Sequence, residues 1–390
     1  MNHGEVSKLR ILILGADGYL GWPTVMDLST KGHDVVAVDN YLRRKLFHEV
    51  GVQPLVEVPR LDERCAIWES VSGCRVPFFI GDLAEWEFVE KIFSEVKPDA
   101  IVHYAEQPAA PYSMLNRQAA TLTLRNNLLV TANVIFAVRE FCPDAHIVKL
   151  GTMGEYGTPD IDIEEGWLEV QHKGRRHKFL YPRQASSLYH TTKIMDTDLL
   201  WFYVRVWGLR VTDLMQGPVY GIFSDESEKD ERLLPFFNYD VIFGTVLNRF
   251  AVQAVAGHPL TVYGKGGQTR GYLNIKDTLS CVRIALENPA KKGELRIFNQ
   301  FTETFSVNEL AEKINVAGSK LGLKVAIQHL ENPRIEAEEH YYNPEHTALI
   351  ELGLQPHFLS ENVLSQMLAF IIQHSEQIKP DQIYQKIPWA

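Results

Sequence analysis

Apolar segments rich in Val, Ile and Leu alternate with longer amphipathic segments through the first half of the chain. Six of the apolar segments have the length and pattern of buried strands, at residues 10–14, 34–39, 78–82, 100–104, 147–150 and 211–214. Helix-length amphipathic segments lie between them, at residues 20–31, 85–96, 121–141 and 189–207. Because apolar strands that alternate with helices form a parallel sheet covered on both faces, the pattern predicts an α/β fold with a doubly wound, parallel, Rossmann-type sheet.

The pattern changes after about residue 216. Loops lengthen, and glycine and proline cluster at residues 257–259 and 264–271. We therefore divide the chain into a Rossmann domain, residues 1–216, and a smaller lobe, residues 217–390, that is mainly substrate-binding. Some segments of this lobe are expected to return to the first domain, so that the two are interleaved. An inserted hairpin is predicted around Lys173 and Gly174, with strands at residues 167–171 and 177–181.

Charge and cysteine content narrow the class of protein. The chain has 390 residues, with 39 Lys and Arg against 49 Asp and Glu, and its formal net charge of −10 argues against a nucleic-acid-binding surface. The four cysteines form no CxxC pair, so we expect no metal site and no disulfide framework, which fits a reducing compartment. No targeting segment is visible, and the apolar runs are shorter than the ~20 residues of a membrane span. These features predict a cytoplasmic protein.

A glycine loop follows the first predicted strand and opens the first predicted helix. Gly15, Gly18 and Gly21 are spaced as GxxGxxG, which lets the backbone approach a pyrophosphate and lets the helix pack closely on the strand. The helix N-terminus adds backbone donors and a favourable dipole for an anion. Asp39 ends the second strand at about the offset expected for an acid that binds a ribose. Residues 1–216 are therefore predicted to bind a dinucleotide.

Asp39 also bears on which dinucleotide is bound. A carboxylate at this position accepts hydrogen bonds from the ribose hydroxyls and repels a 2′-phosphate, so NAD is predicted over NADP. Arg43 and Arg44 lie close in sequence and could accommodate that phosphate, but we give the acid more weight. Asp82, after the third strand, could bond the adenine amino group or cap the helix that follows it. We also assign to the cofactor site Tyr19, Asn40 and Asn126.

Tyr189 and Lys193 form a YxxxK pair on one face of a predicted helix. A free tyrosine, with a pKa near ~10, is a poor base at neutral pH, and a neighbouring ammonium favours the phenolate. The same lysine could hold the nicotinamide ribose. Thr152 follows the fifth strand, whose carboxyl end should face the cofactor crevice, so its hydroxyl could bond the same substrate oxygen as Tyr189.

Together these features resemble the extended short-chain dehydrogenases/reductases, the superfamily of the nucleotide-sugar epimerases and dehydratases. The resemblance implies NAD as cofactor, a UDP-sugar substrate and a homodimer formed through the helices at residues 121–141 and 189–207. It also implies that positions in the second half of the chain hold the nucleotide diphosphate, where arginine forks suit phosphate oxygens. On this basis the predicted substrate-binding residues are Gln107, Thr152, Gln216, Asn248, Arg249, Val262, Tyr263, Gln268, Arg270, Arg334 and Glu338.

Longer stretches are similar to one family within that superfamily, the UDP-sulfoquinovose synthases. They include residues 17–22, with Trp22 directly after the glycine loop, and residues 151–166, 189–193, 264–272 and 332–342. The likeness runs from about residue 10 to about residue 359 and includes the hairpin insertion. One departure is Pro108, which stands where the family has an arginine, and this leaves the nucleophile open.

The resemblance implies a reaction on UDP-glucose. NAD takes a hydride from C4, Tyr189 takes the C4 hydroxyl proton, and loss of the C5 proton and the C6 hydroxyl gives a 4-keto-5,6-ene. Sulfite then adds at C6 and the hydride returns. Beside the base lies His190, a candidate for proton transfer at C5 or for guiding the anion.

Three alternatives remain open at this stage. A 4,6-dehydratase typically carries an Asp-Glu pair after the threonine, whereas here Met153 and Gly154 follow Thr152. A 4-epimerase needs no base at C5 and is not excluded. A non-catalytic NAD-binding regulator could keep the fold, although such a protein would have no need of the residues at positions 152, 189 and 193.

Overall fold

The computed structural model describes residues 8–332 and 340–384. It contains fourteen strands within these ranges, nine of them in the first 220 residues. The strands are β1 (Arg10–Leu14), β2 (Asp34–Asp39), β3 (Phe78–Ile80), β4 (Ala100–His103), β5 (His146–Thr152), β6 (Trp167–His172), β7 (Arg175–Leu180), β8 (Arg210–Gln216), β9 (Val219–Tyr220), β10 (Leu260–Tyr263), β11 (Thr269–Asn274), β12 (Glu294–Gln300), β13 (Glu303–Ser306) and β14 (Ile327–Leu330).

Helices connect and cover these strands. A short 3₁₀ helix at Met153–Glu155 follows β5 and forms part of the site described below. The α-helices are α1 (Gly21–Thr30), α2 (Leu42–Val50), α3 (Leu61–Ser72), α4 (Trp86–Val96), α5 (Ala110–Ser113), α6 (Arg117–Phe141), α7 (Leu188–Trp207), α8 (Val246–Val255), α9 (Ile275–Glu287), α10 (Val307–Lys320), α11 (Ala348–Glu351), α12 (Glu361–Gln373) and α13 (Pro380–Ile383).

Seven strands form the central sheet, in the order β12-β8-β5-β4-β1-β2-β3. Every neighbouring pair in it is parallel. The predicted Rossmann-type sheet is confirmed, with the strand order reversing beside β1. The sequence reading missed the seventh strand, β12, which comes from the second half of the chain and pairs with β8 from Glu294 to Gln300. Polar and apolar residues are mixed in β12, so its sequence does not have the continuous apolar run of the other strands.

Two buried apolar clusters cover the two faces of the central sheet. One cluster includes side chains from α4, α6 and α7, and the other includes side chains from α1, α3 and α9. The strands contribute to both faces alternately: Leu12 belongs to the first cluster and Ile11 and Ile13 to the second. This double coverage explains why the sequence of β1 is apolar at consecutive positions.

A third buried cluster lies in the second half of the chain, among α8, α10, α12 and β10. Two small sheets accompany it, β13-β11-β9 and β10-β14. The inserted hairpin also forms as predicted, with β6 and β7 pairing from Trp167–Leu180 to His172–Arg175. Its base packs on α7 through Trp167 and Trp201, whose rings meet edge to face with centroids 5.0 Å apart.

One helix within the described ranges is long and apolar enough to cross a membrane, judged by length and composition alone. It is α6, in which an 18-residue window has a mean hydropathy of 1.2. Half of that window is buried against the rest of the fold. A core helix of a globular domain has these same properties, so α6 is weak grounds for a membrane span.

Candidate active site

A cavity of about 910 Å³ opens at the carboxyl ends of the central strands. Parallel sheets of this type bind ligands at that edge, where the strand order reverses. The residues predicted for the cofactor that line the cavity are Gly15, Gly18, Tyr19, Gly21, Asp39, Asn40, Arg43, Asp82, Asn126 and Tyr189. Those predicted for the substrate that line it are Thr152, Gln216, Arg249, Tyr263, Gln268 and Arg270.

The glycine loop fits a bound pyrophosphate. Gly15 has a φ of +85°, and a Cβ there would lie 2.8 Å from the Tyr104 backbone. A Cβ on Gly21 would collide with the Gly15 carbonyl oxygen, so the close contact between loop and helix requires glycine. Within the described chain, no side chain caps the N-terminus of α1. The Trp22 N–H already donates to the Gly18 carbonyl at 3.3 Å and Pro23 has no N–H, so the Gly21 N–H is the donor of the first turn that this end offers to an anion.

Asp39 is held at the end of β2 by two backbone donors. Its Oδ1 accepts from the Tyr41 N–H at 2.7 Å and its Oδ2 from the Asp17 N–H at 2.9 Å. Burial, and next the nearby Asp17 carboxylate, raise the pKa of Asp39 to about 6. The carboxylate therefore links the glycine loop to β2 and lines the cavity where an adenosine ribose would bind.

Arg44 lies elsewhere than expected for a cofactor ligand. Its Nε and Nη2 donate to the Asp17 carboxylate at 2.6 and 2.9 Å, and its other donors reach the carbonyls of Val58 and Pro59. It does not line the cavity, so the assignment of Arg44 to the cofactor is corrected. Asp17 could not be recognised beforehand as its partner, because the contact joins residues 27 positions apart.

Arg43 does line the cavity, packed among aromatic rings. Its guanidinium carbon lies 5.2 Å from the Phe47 ring centroid and 5.4 Å from that of Phe243, and its Nη2 donates to Asn238 Oδ1 at 3.1 Å. Asp82 lines the cavity, and its Oδ1 accepts from the Ala84 N–H at 2.9 Å in the turn before α4. It does not cap α4, whose N-cap residue is Glu85 and which has no side-chain cap, so the capping role is corrected.

We expect NAD affinity to depend on the ionisation of Asp39. Because the pKa of Asp39 is raised to about 6, its charged fraction grows as pH rises through that value, and the ribose bonds strengthen with it. NAD binding should therefore weaken by several-fold between pH 7 and pH 5, measured by calorimetry. In Asp39→Asn, binding should be weaker at pH 7 and nearly flat over the same range. A pH dependence that survives this substitution would assign the titration to another group.

The YxxxK pair sits in the first two turns of α7. Ser187 caps this helix, its Oγ accepting from the His190 N–H at 3.2 Å, and the Tyr189 N–H donates to Ser113 Oγ at 3.1 Å. Lys193 is buried and does not itself line the cavity. Its Nζ donates to Glu106 Oε1 at 2.5 Å, and Glu106 does line the cavity. Sequence reasoning missed Glu106, although its place directly after the fourth strand was a usable signal.

The electrostatics of this group differ from the simple expectation that Lys193 activates Tyr189. Burial, and next the Glu106 carboxylate, raise the pKa of the Tyr189 phenol above its usual value. Burial lowers the pKa of Lys193, but the carboxylates of Glu106, Asp196 and Glu155 together outweigh this effect and raise it. Lys193 is thus a stable ammonium whose charge is largely balanced by Glu106 rather than directed at the phenol alone.

Thr152 is positioned by a buried network of charges behind the cavity. Its Oγ1 accepts from the Gly154 N–H at 3.2 Å, and its own N–H donates to Glu155 Oε1 at 3.4 Å. Glu155 is fully buried, with Lys149 Nζ at 3.6 Å and Arg183 Nη1 at 3.3 Å. These cations hold Glu155 beneath the turn, outside the cavity lining, so it fixes the backbone around Thr152.

His190 lines the cavity directly above Gly154. A Cβ at position 154 would collide with the His190 imidazole ring, so only glycine leaves room for it there. The ring centroids of His190 and Tyr189 are 5.2 Å apart, and His190 Nδ1 lies 3.4 Å from Ser186 Oγ. The histidine therefore occupies space beside the tyrosine that a side chain after Met153 would otherwise take.

Three predicted substrate contacts lie outside the cavity lining. Gln107 is buried and donates to Thr123 Oγ1 at 2.9 Å. Asn248 donates to the Asn238 carbonyl at 3.3 Å, and Val262 belongs to the apolar core of the second half. Their assignment as direct contacts is corrected, since each is engaged in packing or in backbone support. Arg334 and Glu338 lie outside the described residues.

Arg249 and Arg270 lie on the substrate side of the cavity. Arg249 Nη2 donates to Thr261 Oγ1 at 3.2 Å and to the Tyr263 hydroxyl at 3.4 Å. Arg270 Nη1 donates to His340 Nε2 at 2.7 Å. Pro108, which replaces the family's arginine, also lines the cavity. Among the residues described, no group of three or more His, Cys, Asp or Glu side chains is arranged to hold a metal ion.

Comparisons with known proteins show the family of this chain. The profile of the NAD dependent epimerase/dehydratase family matches residues 11–299. The chain is 49% identical over 389 residues to the chloroplastic UDP-sulfoquinovose synthase of Spinacia oleracea, covering 100% of this chain and 81% of that one. It is 48% identical over 349 residues to the UDP-sulfoquinovose synthase of Sulfolobus acidocaldarius, covering 89% of this chain and 88% of that one.

Solved structures share the fold at lower identity. The UDP-glucose 4-epimerase of Bifidobacterium longum, in complex with NAD⁺ and UDP, has a TM-score of 0.69 at 18% identity and covers 94% of this chain and 99% of its own. The UDP-glucuronic acid 4-epimerase of Bacillus cereus, in complex with UDP-glucuronic acid and NAD, has a TM-score of 0.69 at 19% identity and covers 93% of this chain and 99% of its own. At these identities the likeness concerns the fold.

Proposed function

This chain belongs to the NAD dependent epimerase/dehydratase family, and we propose that it acts there as a UDP-sulfoquinovose synthase, converting UDP-glucose and sulfite to UDP-sulfoquinovose with NAD as cofactor. The observation that carries the proposal is the identity of 48–49% with two curated synthases over most of the chain. The imidazole of His190 over Gly154, beside Tyr189, adds a proton-transfer group that a simple epimerase does not need.

NAD, when bound, takes the hydride from C4 of the sugar and later returns it. The residues suited to hold it are the glycine loop, Asp39 and Arg43, which line the cavity. Arg249 and Arg270 are suited to the diphosphate of the sugar nucleotide, because guanidinium groups bond phosphate oxygens in pairs. In this proposal the sugar lies near Thr152 and Tyr189, which line the same cavity.

Tyr189 acts first: its phenolate form accepts the proton of the C4 hydroxyl as the ketone forms. Thr152 bonds the same oxygen, and its own backbone is fixed by Glu155. The ketone acidifies the C5 proton, which His190 accepts. The C6 hydroxyl then leaves as water, taking a proton from the imidazolium of His190. The substrate is now a 4-keto-5,6-ene, and His190 is neutral again.

Sulfite completes the reaction by adding through sulfur to C6. The C5 carbanion that results takes up a proton, the hydride returns to C4, and Tyr189 gives its proton back to the C4 oxygen. Sulfite is an anion, and Pro108 supplies no charge at the position where the sequence resemblance implies an arginine. The side chain that we assign to guide the anion is His190 in its protonated form, because it lines the cavity beside Tyr189. Sulfite use should therefore fall as the pH rises and this imidazole loses its proton.

The test is mass spectrometry of UDP-glucose incubated with enzyme and NAD in heavy water, with and without sulfite. Unmodified protein should give deuterium at C5 and, with sulfite, a sulfonate. In His190→Asn, NAD should still be reduced by UDP-glucose, but C5 exchange and sulfonate formation should fall by about 10²–10⁴-fold, the usual effect of removing a general base. Ser186→Ala, which removes only the hydroxyl near Nδ1 of His190, is the control. Its rates of C5 exchange and sulfonate formation should fall far less.

A 4-epimerase is the second candidate, because the structural neighbours include UDP-glucose 4-epimerases. It would yield a product with the mass of UDP-glucose and no deuterium at C5, with or without sulfite. A protein that never reduces NAD when UDP-glucose is added would instead fit a non-catalytic regulator.

The proposal includes a homodimer formed through α6 and α7. Both helices leave large apolar side chains exposed at heptad spacing: Leu129 and Phe136 on α6, and Met195 and Phe202 on α7, each at 38–48% exposure. Apolar rows on two packed helices are suited to a four-helix bundle with a second copy. Phe202→Asp should convert the dimer to a monomer in analytical ultracentrifugation. Sedimentation of the unmodified protein as a monomer would contradict the proposed homodimer.

The cytoplasmic location remains a prediction. All four cysteines are free thiols, which fits a reducing compartment. The spinach relative is named as chloroplastic, so a stromal compartment would fit the same chemistry. Fractionation of cells that carry a tagged full-length protein distinguishes a cytoplasmic from a stromal location.

A further inference from the structure

Glu106 is a carboxylate that the proposed mechanism leaves without a task. It follows β4 directly, its side chain is only 4% exposed, and it lines the cavity. Oε1 accepts from the Lys193 ammonium at 2.5 Å. Oε2 is buried and has no hydrogen-bond partner among the described residues. A buried carboxylate is costly unless it is paired, and the ion pair with Lys193 offsets that cost.

The loop that carries Glu106 is fixed against the helix that carries Lys193. The Gln107 N–H donates to Asn127 Oδ1 at 2.9 Å, and Asn127 Nδ2 donates to Thr192 Oγ1 at 2.9 Å. Thr192 immediately precedes Lys193 on α7. These bonds link the loop, α6 and α7 in one chain of contacts, and they set the distance between the carboxylate and the ammonium.

We propose that Glu106 is a positioning residue for proton transfer: its carboxylate holds the Lys193 ammonium and thereby sets the charge that the Tyr189 phenol experiences. The proposal rests on the proposed function in taking Tyr189 as the base. Glu106 acts by its charge, both on the phenol and on its partner Lys193, and serves as neither acid nor base. This role explains why a carboxylate is buried beside Lys193. A neutral residue at position 106 would leave the charge of the Lys193 ammonium without this partner.

Several charges face Tyr189 from the elements packed around it. They are Glu106 from the loop after β4, Lys149 from β5, Glu155 from the turn after β5 and Asp196 from α7 itself, with His190 adjacent. Lys193 follows Tyr189 by four residues on the same face of α7. After burial, Glu106 is the largest influence that raises the pKa of Tyr189. Removing its negative charge while Lys193 stays protonated should therefore favour the phenolate and lower that pKa.

The first experiment is the pH dependence of NAD reduction in a single turnover with UDP-glucose, followed by absorbance. In Glu106→Gln, the low-pH limb of the rate profile should move to lower pH by about one unit or more, the usual effect of one nearby charge. Glu106→Asp, which retracts the carboxylate but keeps it, should move the limb in the same direction by less. A uniform loss of rate with the limb unmoved in Glu106→Gln would overturn the proposal, because that is what damage to the fold alone produces.

The second experiment needs no substrate and separates this proposal from the proposed function. Tyrosines labelled with ¹³C at the ring ζ carbon are titrated by NMR, and the Tyr189 signal is assigned as the one missing in Tyr189→Phe. In Glu106→Gln the signal should begin to move toward the phenolate position at lower pH than in unmodified protein. Identical titration curves would overturn the role of Glu106. A failure of every variant to reduce NAD would reject UDP-glucose as substrate and leave this measurement valid.

Discussion

Tyr189→Phe should reduce the rate of NAD reduction by UDP-glucose by about 10²–10⁴-fold, since it removes a positioned general base. The substitution should slow the chemical step alone, because the phenylalanine ring fills the place of the tyrosine ring in the cavity wall. Binding of NAD and of UDP, measured by calorimetry, should change little. Stopped-flow absorbance at the band of the reduced cofactor measures the loss directly.

Tyr203→Phe is a matched control on the same helix. Tyr203 packs against Phe136 and Trp207 on the side of α7 that faces α6, and it is not among the cavity residues. Its hydroxyl should be dispensable, so this variant should turn over at nearly the unmodified rate. Near-normal turnover by Tyr189→Phe would show that another group accepts the C4 hydroxyl proton.

Arg64→Met should lower the free energy of unfolding by about 1.5–3 kcal/mol, the usual contribution of hydrogen bonds to a charged group, because Arg44 still pairs with the Asp17 carboxylate. Arg64 is fully buried, and its Nη2 donates to the Asp17 carboxylate at 2.5 Å and to the Asp17 carbonyl at 2.9 Å. Asp17 in turn donates its N–H to Asp39. The substitution should therefore also loosen the glycine loop and weaken NAD binding by at least about tenfold. Denaturant unfolding and calorimetry measure the two effects.

Arg232→Met is the control for this prediction. The Arg232 side chain is 63% exposed and pairs with Asp230 at 2.7 Å in solvent. Surface substitutions of this kind usually change stability by no more than about 0.5 kcal/mol. Comparable losses in the two variants would mean that burial of the Asp17–Arg64 pair does not decide its contribution.

The parallel sheet could be predicted because its signal is local. Each of the first strands is a short apolar run that is bounded by polar turns, and the glycine spacing after β1 follows from backbone contacts within one loop. The strand ends were less certain: β5 extends to Thr152, two residues beyond the predicted end. The extension matters because it brings Thr152 into the sheet, in register with Gln216 of β8.

By itself, the sequence determined the Rossmann-type sheet, the glycine loop with Asp39, and the grouping of Thr152, Tyr189 and His190 at one edge. These depend on spacing within a strand, a loop or a helix turn, or on the rule that parallel strands end at the same edge. Pairings between residues that are distant along the chain cannot be predicted from such local spacing. No local pattern reveals which of two adjacent arginines turns toward a buried carboxylate or which glutamate meets a lysine 87 positions away.

Only the tertiary structure decided those pairings. It turned Arg44 to Asp17 and left Arg43 facing the cavity, it paired Glu106 with Lys193, and it placed the His190 ring over Gly154. The physical reason is that a buried charge or ring takes its position from whichever partner and space the packed elements leave to it. In a close-packed interior such partners are fixed by the whole fold, and the charge near Tyr189 is fixed with them.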